Sequence, residues 1–168
     1  MSTKRFPMTP AGHARLKRQI ERLKAERPHI SASIEEARAH GDLKENAEYH
    51  AAKEKQGMVE ARIRDMDTRI ALAQVVDPAS LSGSRVSFGA TVTLLDNDTD
   101  EELTWAIVGE DEADYRHGLL NYLSPIARGL MGKEEDDEVK IPVDAGVRSF
   151  TILKVRFQPI ELAPELGS

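Results

Sequence analysis

Apolar side chains recur at alternating steps of four and three residues in the first half of the chain: Leu16, Ile20, Leu23, Ile30, Ile34 and Ala37, with Arg27 in the remaining seam position. That spacing is the stripe of a coiled-coil helix. A second series follows at Tyr49, Ala52, Gln56, Val59, Ile63, Met66, Ile70 and Ala73. Set antiparallel, the two series pair without a slip. The residue numbers of Leu16 with Ala73, Ile20 with Ile70, Leu23 with Met66, Arg27 with Ile63, Ile30 with Val59, Ile34 with Gln56 and Ala37 with Ala52 add to 89 or 90 throughout. The chain therefore folds back near Lys44. At about 34 residues per arm and about 1.5 Å of rise each, the pattern predicts a hairpin roughly 50 Å long.

Local signals mark its ends. Thr9 followed by Pro10 reads as an N-cap with Pro at the first helical position, where its missing N–H costs nothing. Pro28 falls inside the first arm and removes one backbone bond, which predicts a local kink beside Arg27. At the fold-back, "HGDLKENAEYH" puts Gly41 where a left-handed residue ends a helix. Asp42 is then placed to cap the next helix, with Glu45 three residues on completing a capping box.

Beyond Val76 the period changes. "VDPASLSGSR" breaks both helical and strand patterns and reads as a linker. "RVSFGATVTLLD", "ELTWAIVG", "VKIPV" and "RSFTILKVRF" then show the alternation and β-branched enrichment of strands, separated by "NDTDE", "EEDDE" and "DAG" turns. A small antiparallel sheet follows. The fold class is α+β: a two-helix hairpin over 1–76, a linker over 77–84, a sheet domain over 85–158 and a tail over 159–168.

Charge divides along the same line. Residues 1–76 hold 15 basic and 11 acidic side chains, a net of +4, while 77–168 hold 8 and 18, a net of −10. The local field, rather than the total of −6, decides which surface a phosphate approaches. Cysteine is absent, which excludes disulfides and thiolate chemistry, so any metal must sit on oxygen or imidazole. No apolar run nears the roughly 18 residues of a membrane span, and "MSTKRFPMTP" has no signal-peptide core, so a cytoplasmic protein without membrane contact is expected. No nucleophile triad, phosphate-binding glycine loop, zinc spacing or EF-hand loop occurs; the acidic run Glu134 to Glu138 reads as a solvated loop.

The chemistry concentrates at the fold-back. Asp42 and Glu45 stand three apart, on one side of a first helical turn, where they could cap or share a divalent cation. Two carboxylates do not complete the near-octahedral oxygen shell Mg²⁺ wants, so the tip reads as half a site. His40 and His50 could add imidazoles, although histidines beside a solvated turn are ordinarily polar surface.

The stretch "EARAHGDLKENAEYHAAKEKQG", with "AQVVD", "FGATVTLLD", "DEELTWAIVGEDEAD" and "SPIARGLMGKEEDDEV", resembles the bacterial GreA/GreB transcript cleavage factors, in their GreA-type branch, from about Phe6 to Phe157. Departures are a changed spacing near Pro142 and Gly146, Trp105 where Tyr is common, and the extra tail "QPIELAPELGS". The resemblance implies an FKBP-like second domain. It also implies a transcription elongation factor, carrying the family's DNA-binding label, that acts as a monomer and is not an enzyme alone. Its tip would enter the secondary channel of a backtracked RNA polymerase. Asp42 and Glu45 would there help to hold a catalytic Mg²⁺ for the polymerase's cleavage of the transcript. Arg38, Lys44 and Lys53 would hold the nascent RNA 3′ end, and Ser124, Pro125 and Ile126 of an exposed loop would dock against the polymerase. Two other readings stay open: a module that occupies the channel without promoting cleavage, and a peptidyl-prolyl isomerase. The first need not keep Asp42 with Glu45; the second needs an aromatic-lined pocket, while the aromatic residues are spread over both halves of the sequence.

Overall fold

The computed structural model describes residues 4–41 and 45–165. The chain forms two compact units. One is Ala14–Leu72; the other joins the residues up to His13 with those from Ala73 onward.

The first unit is the helical hairpin. Helix α1 (Pro10–Arg38, whose first turn belongs to the other unit) and helix α2 (Ala47–Ala71) carry the two seams. Ile30, Ile34, Val59 and Ile63 are buried together, with Leu23, Tyr49 and Ala52 packed around them, as the predicted register requires. Arg27 does not enter this seam. Its guanidinium turns outward and forks onto Glu60, Nε donating to Oε1 at 2.7 Å and a terminal nitrogen to Oε2 at 2.9 Å. That bond holds the Glu60 carboxyl below its usual range. The helix runs on through Pro28 to Arg38.

The second unit is a curled sheet. Strands β1 (Phe6–Met8) and β2 (Ala73–Val75) form a parallel pair that brings the two ends of the hairpin segment together. The main sheet comprises β3 (Thr91–Asp96), β4 (Glu102–Val108), β5 (Leu119–Asn121), β6 (Glu138–Val143) and β7 (Gly146–Arg156), in the order β5-β4-β3-β7-β6. All its pairings are antiparallel except β4 with β5. Strand β3 alternates as the sequence predicts: Val92 and Leu94 are fully buried among Ile107, Phe150, Ile152 and Trp105. A short helix, α3 (Pro125–Leu130), closes the core through Ala127 and Leu130, and Gly129 lets it lie against Ile141 of β6.

The sequence boundary at residue 76 differs from this division because a buried carboxylate claims the start of α1. Glu112 accepts from the Thr9 backbone N–H at 3.1 Å, from the Thr9 hydroxyl, and from the Gly109 N–H at 2.9 Å. Thr9 in turn caps α1, its Oγ1 accepting from the Gly12 N–H. A methyl group on Gly12 would collide with the Glu112 carboxylate, so glycine is what admits it. The segment read as linker is also ordered: Asp77 caps a 3₁₀ turn, Pro78–Ser80, and Pro78 is buried.

Candidate functional site

At the fold-back the structure corrects the expected cap. Helix α2 begins at Ala47, and its N-cap is Asn46, whose side-chain oxygen accepts from the Tyr49 N–H at 3.0 Å. The amide nitrogen of Asn46 donates to the carbonyl of Ala37, near the end of α1, so one side chain ties both helix ends. Asn is as good a cap as Asp, and the sequence held a second candidate that the capping-box spacing hid. Gly41 does take positive φ, +133°, after the helix.

Glu45 is thereby freed. It sits in the turn just before the cap, exposed, and no hydrogen bond or ion pair engages its carboxylate among the described residues. Asp42 and Lys44 lie outside the described residues. His40, Glu45, Asn46 and Glu48 border a shallow depression of about 440 Å³ at this end of the hairpin. Glu48, in the first turn of α2, faces the positive end of the helix dipole. Among the described residues no group of three carboxylate or imidazole side chains is gathered to hold a metal. The donor set is hard oxygen, which fits Mg²⁺, but it offers only part of a shell.

The basic residues stand on both arms. Arg38, in the last turn of α1, is exposed and reaches Glu35 at 3.7 Å; Lys53, two turns into α2, donates to Gln56 at 3.4 Å. Exposed contacts of this kind contribute little and leave both cations available to a phosphate.

In the sheet unit, "SPIARG" is a helix rather than a loop. Ser124 caps α3, its hydroxyl accepting from the Ala127 N–H at 3.3 Å, and Pro125 occupies the first turn. Pro125 is exposed, whereas Ser124 and Ile126 are half-buried. These three residues line one wall of an apolar groove of about 520 Å³, with Tyr115, Pro142 and Val143 among the others. The sequence reading missed Tyr115, Pro142 and Val143, because only the sheet brings 115 and 142 to the same rim.

Three aromatic residues do gather here, contrary to their spread in sequence: Trp105 meets Tyr115 at 5.6 Å and Phe150 at 5.8 Å between ring centroids. Trp105 and Phe150 are core, however, and only Tyr115 borders the groove. Arg148 stacks over both core rings and pairs with Asp96 at 3.2 Å. The Asp96 carboxyl lies below its usual range, chiefly because the Asp98 N–H donates to it, with help from Arg148 and Thr99.

Two family models match the chain in succession. The family described as "Transcription elongation factor, N-terminal" matches residues 6–75, and "Transcription elongation factor, GreA/GreB, C-term" matches residues 81–157. A transcription elongation factor GreA of Hyphomonas neptunium is 54% identical over 92% of this chain and 99% of its own length. One from Ruegeria pomeroyi is 53% identical over 91% and 98%. Among solved structures, the GreA factor homolog 1 protein of Thermus thermophilus is similar at 24% identity, covering 91% of this chain and 99% of that one, with a TM-score of 0.42. Family membership rests on the sequence matches alone: they span both units at over half identity, and the chain belongs to the GreA/GreB transcription elongation factor family.

Proposed function

We propose that this factor inserts the fold-back of its hairpin into the secondary channel of a backtracked RNA polymerase. There it stimulates the polymerase's own endonucleolytic cleavage of the transcript and so rescues arrested complexes. The observation that carries this reading is Glu45: an exposed carboxylate at the turn of a long hairpin, relieved of capping by Asn46 and without a structural partner among the described residues.

Each part of the chain contributes a distinct task. Asp42 and Glu45 offer carboxylate oxygens to a Mg²⁺ whose other ligands belong to the polymerase. Such an ion lowers the pKa of bound water and neutralises charge on a scissile phosphate. Arg38, Lys44 and Lys53 attract the phosphates of the displaced RNA 3′ end, in keeping with the +4 balance of residues 1–76. Ser124, Pro125 and Ile126, on the rim of the apolar groove, dock against a protein surface of the polymerase. The −10 balance of residues 77–168 argues against nucleic acid, DNA included, as the partner of that segment.

The test is a stalled elongation complex with end-labelled RNA. Added factor should shorten the transcript in the presence of Mg²⁺, and factor with free RNA should yield no product. Occupancy of the polymerase without cleavage would instead support the blocking module, and hydrolysis of free RNA would contradict the division of labour.

A further inference from the structure

The family match stops at residue 157, yet the chain beyond it stays on the fold. Ile160, Leu162 and Ala163 pack against Ala106, Val108 and Leu119, which form a buried apolar cluster separate from the main core. Successive residues of a strand point to opposite faces. In β4, Trp105 and Ile107 belong to the main core, so Ala106 and Val108 occupy the second face of the same strand. Leu119 extends that face to β5, one of the two edge strands of the sheet. The tail matches it: Ile160 and Leu162 are partly buried while Glu161 between them is exposed, the alternation of an extended segment laid on an apolar surface.

We propose that residues 158–165 form an intramolecular strap that seals the second face of β4 and β5. An apolar face reaching a sheet edge invites hydration or adventitious pairing, and the strap covers it with aliphatic side chains. The strap is an addition to the shared family unit and is independent of the function proposed for the hairpin tip.

Amide hydrogen exchange tests the strap in three forms of the protein: the chain shortened after Phe157, full-length Ile160→Asp with Leu162→Asp, and full-length Glu161→Ala. The N–H groups of Ala106 and Leu119, bonded to the carbonyls of Gly118 and Asp114, report on the covered face. In the first two forms their exchange should accelerate about tenfold or more, with the amides of Phe150 and Ile152 little changed. Glu161→Ala should behave as the unaltered chain. The point variants keep the test open if the shortened chain folds poorly. Unchanged exchange at Ala106 and Leu119 would overturn the proposal, and so would equal acceleration at Phe150 and Ile152, which would mark a general stabiliser rather than a cover.

Discussion

Asn46 and Glu45 are neighbours with opposite duties, and replacing each in turn separates structure from function at the tip. Asn46→Ala removes the acceptor for the Tyr49 N–H and the donor to the Ala37 carbonyl. The lost cap costs about 1 kcal/mol and the second hydrogen bond about 1 kcal/mol more, together roughly 2 kcal/mol. Asn46→Asp keeps the cap and loses only the donor, so it should recover about half of that. Glu45→Gln alters an exposed side chain with no partner among the described residues and should stay within about 0.5 kcal/mol. Exchange of the Tyr49 amide reads the local stability: roughly 2 kcal/mol is about a 30-fold acceleration for Asn46→Ala, against twofold or less for Glu45→Gln. Stimulated cleavage should rank the variants in reverse. Glu45→Gln should lose two orders of magnitude or more, equivalent to about 3 kcal/mol of transition-state stabilisation, while Asn46→Ala retains most activity where it is folded. If Glu45→Gln loosens Tyr49 as much as Asn46→Ala does, Glu45 is a structural residue and the reasoning fails.

Three further outcomes are expected. Glu112→Gln should destabilise the sheet unit by about 2–4 kcal/mol in a urea melt, because the amide replaces one of the two carboxylate oxygens with an NH2 group that cannot accept from the Thr9 hydroxyl or the backbone N–H groups; an unchanged midpoint would contradict this role of the carboxylate. Because the Asp96 carboxyl is depressed in the folded state, its contribution is present above the unfolded value of about 3.9 and disappears as pH falls through its lower folded pKa. Asp96→Asn should accordingly flatten the loss of stability below about pH 4, and an unaltered acid limb would count against it. Ile126→Asp, on the groove rim, should weaken polymerase binding while excess factor restores cleavage; to confirm docking, the inhibition that Asp42→Ala factor exerts on unaltered factor should vanish when Ile126→Asp is added.

The hairpin was legible because a period of 3.5 sustained over many turns has few competing explanations, and one register satisfied both seams. Arg27 was legible as an intruder but not as half of a fork, since Glu60 lies off the seam and only side-chain reach brings them together. Strands β1, β2 and β5 were not legible: three residues carry no period, and their pairing depends on partners remote in sequence. Ser124-Pro125 is ambiguous in principle, because Ser then Pro opens either a turn or a helix, and burial of Ala127 and Leu130 decides for the helix. The tip failed for a related reason. Asp42 and Asn46 are equal as caps by residue type, and Asn46 additionally donates to the Ala37 carbonyl, a bond that no carboxylate can make. With Asn46 as the cap, Glu45 is left available.

The most direct measurement of the central claim is a Mg²⁺ titration of stimulated transcript cleavage on one stalled complex, with unaltered factor, Asp42→Asn and Glu45→Gln, each at a concentration that saturates the polymerase. If the two carboxylates help to hold the ion, each variant should need about tenfold more Mg²⁺ or greater for half-maximal stimulation, since a ligand worth about 1.4 kcal/mol is a factor of ten in affinity. The double variant should be scarcely worse than the weaker single, because the pair acts as a unit. Identical Mg²⁺ dependence in all four proteins would contradict the claim that the tip of this hairpin completes the polymerase's metal site.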